Sequence, residues 1–261
     1  MPLITLLTDF GTQDAYVGIM KGVMLAIDPS ARFVDLTHEI PPQAVDVGAL
    51  VLRSAVSYFP DGTVHLAVVD PGVGTGRAAV AVRTPRALLV GPDNGLLAPA
   101  TAALGGAQAV HALDNPAFQR QPVSHTFHGR DVFAPAAAHL AAGVPPHELG
   151  AARAGLVPSD LPPVEVTADA VRGAVVHVDR FGNLLTNIDR GAVHAFRDQS
   201  LSVTVAEMVT APLRATYGDI ASGELVALWS SWDTIELAVR DGNAAARLGV
   251  GRGAAVVARG G

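Results

Sequence analysis

Four segments of the chain carry side chains whose types and spacing suit chemistry. Thr8-Asp9-Phe10-Gly11 closes a short, apolar, β-branched run, residues 4–8. Aspartate is a poor strand residue and costs energy if buried unpaired. At a strand end, Asp9 therefore either binds a ligand, its two oxygens suiting the adjacent hydroxyls of a ribose, or caps the next helix. Residues 69–77, Val-Asp-Pro-Gly-Val-Gly-Thr-Gly-Arg, repeat the pattern, with Asp70 at an expected strand end, then a glycine-rich loop, then Arg77. The loop lacks the Gly-Lys-Ser/Thr ending of a phosphate cradle and leads into another strand-like run, residues 78–84, so it reads as a turn rather than a P-loop. The third segment runs from Ser124 to Asp131 and puts His125 and His128 three residues apart. That is a metal-ligand spacing, but on a loop; the other use for His128 is to orient or deprotonate a water near Asp70 and Arg77. The fourth, residues 179–187, offers Asp179, Phe181 and Asn183 in a turn. Turn chemistry accounts for Asp, Gly and Asn. An aromatic ring beside an amide adds a surface on which a purine could stack and hydrogen-bond.

The bulk composition narrows what such residues can serve. Of 261 residues, 49% are apolar and 16% charged, with 18 Lys+Arg against 24 Asp+Glu and a net charge of −6. So apolar a chain buries enough surface to offset its conformational entropy and is expected to be globular. Lys21 is the only lysine, and the acidic balance argues against nucleic acid as partner. There is no cysteine, which excludes disulfides, thiolate metal sites and a cysteine nucleophile, and leaves nine histidines and the carboxylates to do polar chemistry. The apolar start of the chain has no basic residues before it and Asp9 soon after it, so it reads as a first strand rather than a signal peptide. No apolar run reaches the roughly 18 residues of a membrane span. A cytoplasmic protein without a membrane partner is expected.

The elements that would position these residues alternate. Strands are expected at residues 4–8, 33–37 and 63–69, with helices at 16–27, capped at Thr12 or Asp14, and at 45–58. Further strand-like runs follow at 78–84, 87–90 and 109–113, then a helix at 131–142. This predicts a Rossmann-like α/β domain with a mostly parallel sheet, its ligands beyond the carboxyl ends of the strands. The Pro-rich texture of residues 144–170 marks the passage to a second domain, giving residues 1–157, a linker at 158–170, and residues 171–261. The last stretch has short runs at 173–178, 201–205, 224–230, 234–239 and 254–258 between Gly, Asn and Asp turns, which predicts a small β-barrel or sandwich.

Seven motifs in order carry a resemblance: TDFG at 8–11, YVGIMKG at 16–22, VDLTHEIPP at 34–42, VVDPGVGT at 68–75, PDNGLL at 92–97, TFHGRDVFAP at 126–135 and DRFGNLLTNI at 179–188. The chain resembles the S-adenosyl-L-methionine (SAM) hydroxide adenosyltransferases, or SAM hydrolases, relatives of the fluorinase and chlorinase. The resemblance implies an α/β domain followed by a smaller β-barrel domain, a homotrimer with active sites between subunits, and the reaction of SAM with water to give adenosine and L-methionine. It implies no cofactor and no metal, SAM being the substrate. The water-handling roles fall on Asp70, Arg77 and His128. Asp9 falls on the ribose, Asn183 and Phe181 on the nucleoside, and Asp179 near the methionine. Ser231, Glu236 and the backbone of Val239 fall where the family lines the methionine and adenine sites. The family's usual Asn-Ser-x-Gly reads Ser230-Ser231-Trp232-Asp233 here. The halogenating relatives have Tyr in place of Asp70, and a carboxylate there would repel a halide while accepting a hydrogen bond from water. Hydrolysis is expected over the two alternatives on this scaffold, a halogenase and a non-catalytic SAM or adenosine sensor; a metal-dependent hydrolase is the remaining reading.

Overall fold

The computed structural model describes residues 3–196 and 199–261. The chain divides into two compact units, Met1–Asp160 and Leu161–Gly261. In the first, β1 (Leu3–Thr8), α1 (Tyr16–Ile27), β2 (Arg32–Thr37), α2 (Val45–Val56), β3 (Val64–Val68), β4 (Ala79–Arg83), β5 (Leu88–Pro92), α3 (Ala98–Ala103), β6 (Ala109–Ala112) and α4 (Ala134–Ala141) build one sheet with helices on both sides. The strand order is β2-β1-β3-β5-β4-β6. Neighbours β2, β1, β3 and β5 run parallel, and β4 is antiparallel to β5 and β6.

Side chains of a strand alternate between faces, and here both faces are dry. Ile4 and Leu6 of β1 enter a core with Met20 and Met24 of α1 and Ala137 of α4. Leu7, with Ala67 of β3, enters the opposite core with Val47 and Leu52 of α2 and Ala100 of α3. All five residues of β3 are buried, which is why its sequence is apolar apart from His65. A fully buried side chain of this size contributes about 1.5–3 kcal/mol, so the two cores hold the carboxyl ends of β1 and β3 rigidly side by side, Thr8 opposite Val68.

Three local expectations change. Helix α1 starts after Ala15 with no side-chain cap, because Thr12 instead donates to Glu39 at 3.3 Å. The helix expected over 131–142 begins as a wide π-helical turn, Gly129–Phe133, before α4. Pro135 has no N–H to return to Asp131, whose carbonyl accepts instead from the Arg120 N–H at 2.8 Å. Helix α3 was not expected; it is one and a half turns long with Pro99 in its first turn. Residues beyond α4 still belong to this unit, with the Arg153 N–H on the Val110 carbonyl at 2.9 Å and the Val157 N–H on Asp93 at 2.8 Å.

The second unit contains β7 (Glu165–Val166), β8 (Val171–Val178), β9 (Leu184–Asp189), β10 (Leu201–Val205), β11 (Val209–Pro212), β12 (Leu225–Trp229), β13 (Thr234–Val239), the short helix α5 (Ala244–Leu248) and β14 (Ala255–Gly260). Their order is β11-β10-β14-β8-β9-β13-β12, with β7 paired to β8 within the expected linker. A bridge from Leu213 to Ala227 joins the two ends, so the antiparallel sheet nearly closes into a barrel around Val175, Leu184, Val203, Ile235 and Val256. Closure protects sheet edges that would otherwise pair with other chains.

Candidate active site

In the first unit, Asp70 lies two residues beyond the end of β3, and the glycine-rich loop returns the chain to it at Arg77. Arg77 Nε donates to both carboxylate oxygens, at 2.8 and 3.0 Å, and its Nη2 also reaches Oδ2. The Asp70 and Arg77 side chains are only 5% and 11% exposed, so this pair is held by burial as well as charge. The guanidinium lies over the ring of Phe133, 5.2 Å from its centre. From the other side the same Nη2 sits 2.8 Å from Nδ1 of His128. A guanidinium only donates, so Nδ1 must accept, which places the imidazole proton on Nε2. Burial, reinforced by the Arg77 charge and opposed by Asp70, holds the His128 pKa below its ordinary value and keeps the ring neutral.

Two features set this contact. The loop bearing His128 is anchored by Asp131, fully buried, which accepts from Arg130 at 2.7 Å and from the Ser124 N–H at 2.9 Å. Burial alone would raise the Asp131 pKa, but Arg130 and the Ser124 N–H outweigh it and keep it ionised. Gly74, at φ +76°, lets the glycine-rich loop press onto this segment: a Cβ there would lie 2.3 Å from the His125 carbonyl oxygen. Only glycine permits that approach. His125 therefore contributes its backbone, and among the described residues no three His, Cys, Asp or Glu side chains gather as a metal-ligand set.

Asp9 stands at the end of neighbouring β1. It does not cap α1; its Oδ2 accepts from the Gln43 N–H at 2.8 Å. The strand end beside it is tied by a polar chain that starts at the buried Thr8 and His38 and ends at the exposed Asp35 and the half-buried Lys21. His38 Nδ1 lies 2.9 Å from Thr8 Oγ1, its Nε2 lies 3.1 Å from Asp35, and Lys21 closes on Asp35 at 2.7 Å. Burial would raise the Asp35 pKa, but the bonds from Lys21 and His38 prevail and lower it. Phe10, Tyr16 and Phe127 pack around the same end with ring centres 5.2–6.0 Å apart, Phe127 edge to face with each of the other two.

In the second unit, the turn between β8 and β9 folds around Asp179, whose Oδ1 accepts from the Phe181 and Asn183 N–H groups, both at 2.8 Å, and Oδ2 from the Asn183 side chain at 3.0 Å. The turn leaves the Phe181 ring 75% exposed, a free aromatic face beside a buried amide. Gly182, at φ +85°, abuts Asn243, which a Cβ would overlap, and its carbonyl accepts from Ala245 at 3.0 Å. Glu236 of β13 is buried and accepts from the Tyr217 hydroxyl at 2.6 Å. Burial, with the Asp179 charge added, pushes the Glu236 pKa up against that bond. Ser231 is exposed in the β12–β13 turn, where Trp232 stacks on His177 at 5.3 Å and Asp233 takes φ +60°. Val239 is buried in the β12–β13 ladder and its carbonyl already accepts from the Gly242 N–H at 3.0 Å.

Asp70, Arg77 and His128 are thus brought together, as are Asp179 with Asn183 and Glu236 with Tyr217. Sequence reasoning missed Gln43, Asp131 as an anchor, and Tyr217. The glycine at position 74 was a visible signal for the loop contact; Tyr217 sits in no motif and carried none.

Comparison with known proteins agrees across the chain. The family profile of the SAM hydroxide adenosyltransferase N-terminal domain matches residues 4–150, and that of the C-terminal domain matches residues 173–257. A protein of Salinispora tropica named (R)-S-adenosyl-L-methionine hydrolase is 45% identical over 251 residues, covering 95% of this chain and 94% of its own. One of the same name from Thermus thermophilus is 40% identical over 261 residues, covering 95% of each. A fluorinase of an Actinoplanes species is more distant, 32% identical over 216 residues and 72% of each chain. The crystal structure of an uncharacterized conserved protein from Thermotoga maritima superposes with a TM-score of 0.91 at 35% identity, over 98% of this chain and 99% of that one. With both domains matched in order, the chain belongs to the SAM hydroxide adenosyltransferase family.

Proposed function

We infer that this chain hydrolyses S-adenosyl-L-methionine to adenosine and L-methionine. The observation that carries the reading is the constellation of the buried Asp70–Arg77 ion pair and His128 beyond the carboxyl end of β3. Relatives covering nearly the whole chain bear the hydrolase name, whereas the fluorinase relative is less similar and covers less of it.

The chemistry asks little beyond placement. Attack of water oxygen on ribose C5′ forms a C–O bond as the C–S bond breaks, and the sulfonium departs as the neutral thioether of methionine, so no general acid is required. What the protein must supply is a water oxygen about 3–3.5 Å from C5′ and in line with the leaving sulfur. Asp70 accepts a hydrogen of that water through lone pairs that Arg77 leaves open, and receives or relays its proton. His128, neutral and donating through Nε2, fixes the oxygen rather than deprotonating it. Asp9 receives the ribose hydroxyls, while Phe181 and Asn183 hold the nucleoside and Asp179, Ser231, Glu236 and the Val239 backbone line the rest. No carbonyl or phosphoryl oxygen needs polarising, which supports a reaction without metal or cofactor.

We further propose a cytoplasmic homotrimer in which each active site draws on two subunits. Its support is the family resemblance and the division of the assigned residues, Asp9, Asp70, Arg77 and His128 in the first unit and the others in the second. The net charge of −6 and the lone lysine favour a small-molecule substrate over nucleic acid, and among the described residues no helix is long and apolar enough to cross a membrane.

Incubation of the purified protein with SAM, with and without chloride or fluoride, tests the assignment. Adenosine and methionine in equal amounts are expected in every case. Accumulation of 5′-halo-5′-deoxyadenosine would make it a halogenase, and binding without turnover would make it a sensor.

A further inference from the structure

Glu236 is a carboxylate in an uncompensated setting. It is 5% exposed on β13, facing Leu185 of β9 and Leu228 of β12 in the ladder. The titratable groups on the elements around it are Asp179 and His177 at the end of β8, Asp189 opposite Thr234, and Tyr217. The nearby arginines are spent elsewhere, Arg190 on Asp233 and Arg240 on the carbonyls of Gly218 and Ile220. Among the described residues the hydrogen bond that Glu236 accepts comes from Tyr217.

The segment carrying Tyr217 is built to hold that bond. Thr216 and Asp219 cap the short turn reciprocally, Asp219 accepting from the Thr216 and Ala215 N–H groups. Arg240 of the β13 end clasps the same turn through two carbonyls. The result is a tyrosine 46% exposed whose hydroxyl is nonetheless fixed 2.6 Å from a buried carboxylate oxygen. A surface ring held this firmly by its polar end does little for the barrel core, whose side chains lie elsewhere.

We propose that Tyr217 is a positioning residue of the SAM site, donating to one oxygen of Glu236 so that the carboxylate stays an oriented acceptor for an N–H donor of the substrate. SAM offers two such donors, the α-ammonium of its methionine half and the exocyclic amine of its adenine. The proposal rests on the hydrolase reading above. Burial and the neighbouring Asp179 push Glu236 toward its protonated form, and the Tyr217 bond opposes them. Without it, Glu236 protonates at a higher pH and ceases to accept.

The test is the pH dependence of kcat and KM for SAM in Tyr217→Phe, Glu236→Gln and the double variant, with adenosine and L-methionine as separate competitive inhibitors. Tyr217→Phe should raise KM about tenfold with kcat retained, and the increase should grow as pH falls and shrink as pH rises. Glu236→Gln should make KM insensitive to pH over the same range, and adding Tyr217→Phe to it should change little. The inhibitor whose affinity falls identifies the donor as ammonium or adenine amine. A pH-independent rise in KM, a loss confined to kcat, or an unchanged KM would overturn the Tyr217 assignment alone. A wild-type protein that leaves SAM intact would overturn the hydrolase reading and this inference with it.

Discussion

The Nη2 of Arg77 lies 2.8 Å from Nδ1 of His128 while the same guanidinium grips Asp70, so one cation fixes the carboxylate and the tautomer of the imidazole together. In the proposed reaction Asp70 receives the proton of the water and His128 donates to it. Removing either therefore affects a different part of one step.

Asp70→Ala should lower kcat about 10²- to 10⁴-fold with a small change in KM. Asp9→Ala should instead raise KM about ten- to a hundredfold, the loss of a charge-assisted hydrogen bond to the ribose, with kcat largely kept. Steady-state kinetics of the two variants check this division. Equal turnover losses with unchanged affinity in both would contradict it.

The activity should fall in acid with an apparent pKa below the ordinary histidine value of about 6.5. Burial and the Arg77 charge depress the His128 pKa, so the ring stays neutral as pH is lowered past 6.5. Once Nδ1 is protonated it faces Arg77 as a second donor and the constellation opens. A kcat–pH profile of the wild type should show this limb, and His128→Asn, with lower activity, should lack it.

A separate histidine governs acid stability. His65 of β3 is fully buried, with Nδ1 2.8 Å from Thr5 Oγ1 on β1, and desolvation lowers its pKa to about 4. Above pH 6.5 the ring is neutral folded or unfolded, and its contribution is complete. Below it the unfolded chain binds a proton that the folded chain does not, so stability drains away as pH falls toward 4, by about 3 kcal/mol in all. Urea unfolding at a series of pH values should show the slope. His65→Asn, less stable at neutral pH, should show a shallower one between pH 6.5 and 4.

If the active sites draw on two subunits, inactive variants should complement. Asp70→Ala and Asp179→Ala, each defective alone, should regain activity when co-refolded or co-expressed, with about one quarter of sites fully native at random mixing in a cyclic oligomer. Activity that stays at the sum of the two separate variants would place each site within one chain.

Much of this was legible in the residues. Strands β1 and β3 announced themselves because both faces are dry and an aspartate follows each within two residues, where apolar packing stops. The helix at 16–27 matched its apolar spacing to the residue, but its cap did not, since Thr12 found Glu39 across the turn, a partner 27 positions away. Strand β9 was hidden by the turn chemistry of residues 179–187: Leu184-Leu185-Thr186 is buried against β8 and β13, and the Asn and Asp that follow still belong to the strand, Asp189 paired with Thr234. The Asp70–Arg77 pair was readable from a seven-residue loop return, whereas the contact from Arg77 to His128 spans 51 residues and exists only because the two loops meet at Gly74. Tyr217 could not be read at all, since its meaning depends on a carboxylate 19 residues later in a strand whose burial the sequence does not state.

The central claim is attack by water oxygen at C5′ of SAM, and the most direct measurement is incubation of the EDTA-treated protein with SAM in oxygen-18 water, followed by mass spectrometry of the products. Adenosine carrying one heavy oxygen in its 5′-hydroxyl, with unlabelled methionine and undiminished rate after chelation, is the predicted result. Intact SAM, adenosine without the label, or activity restored only by added metal would contradict the account.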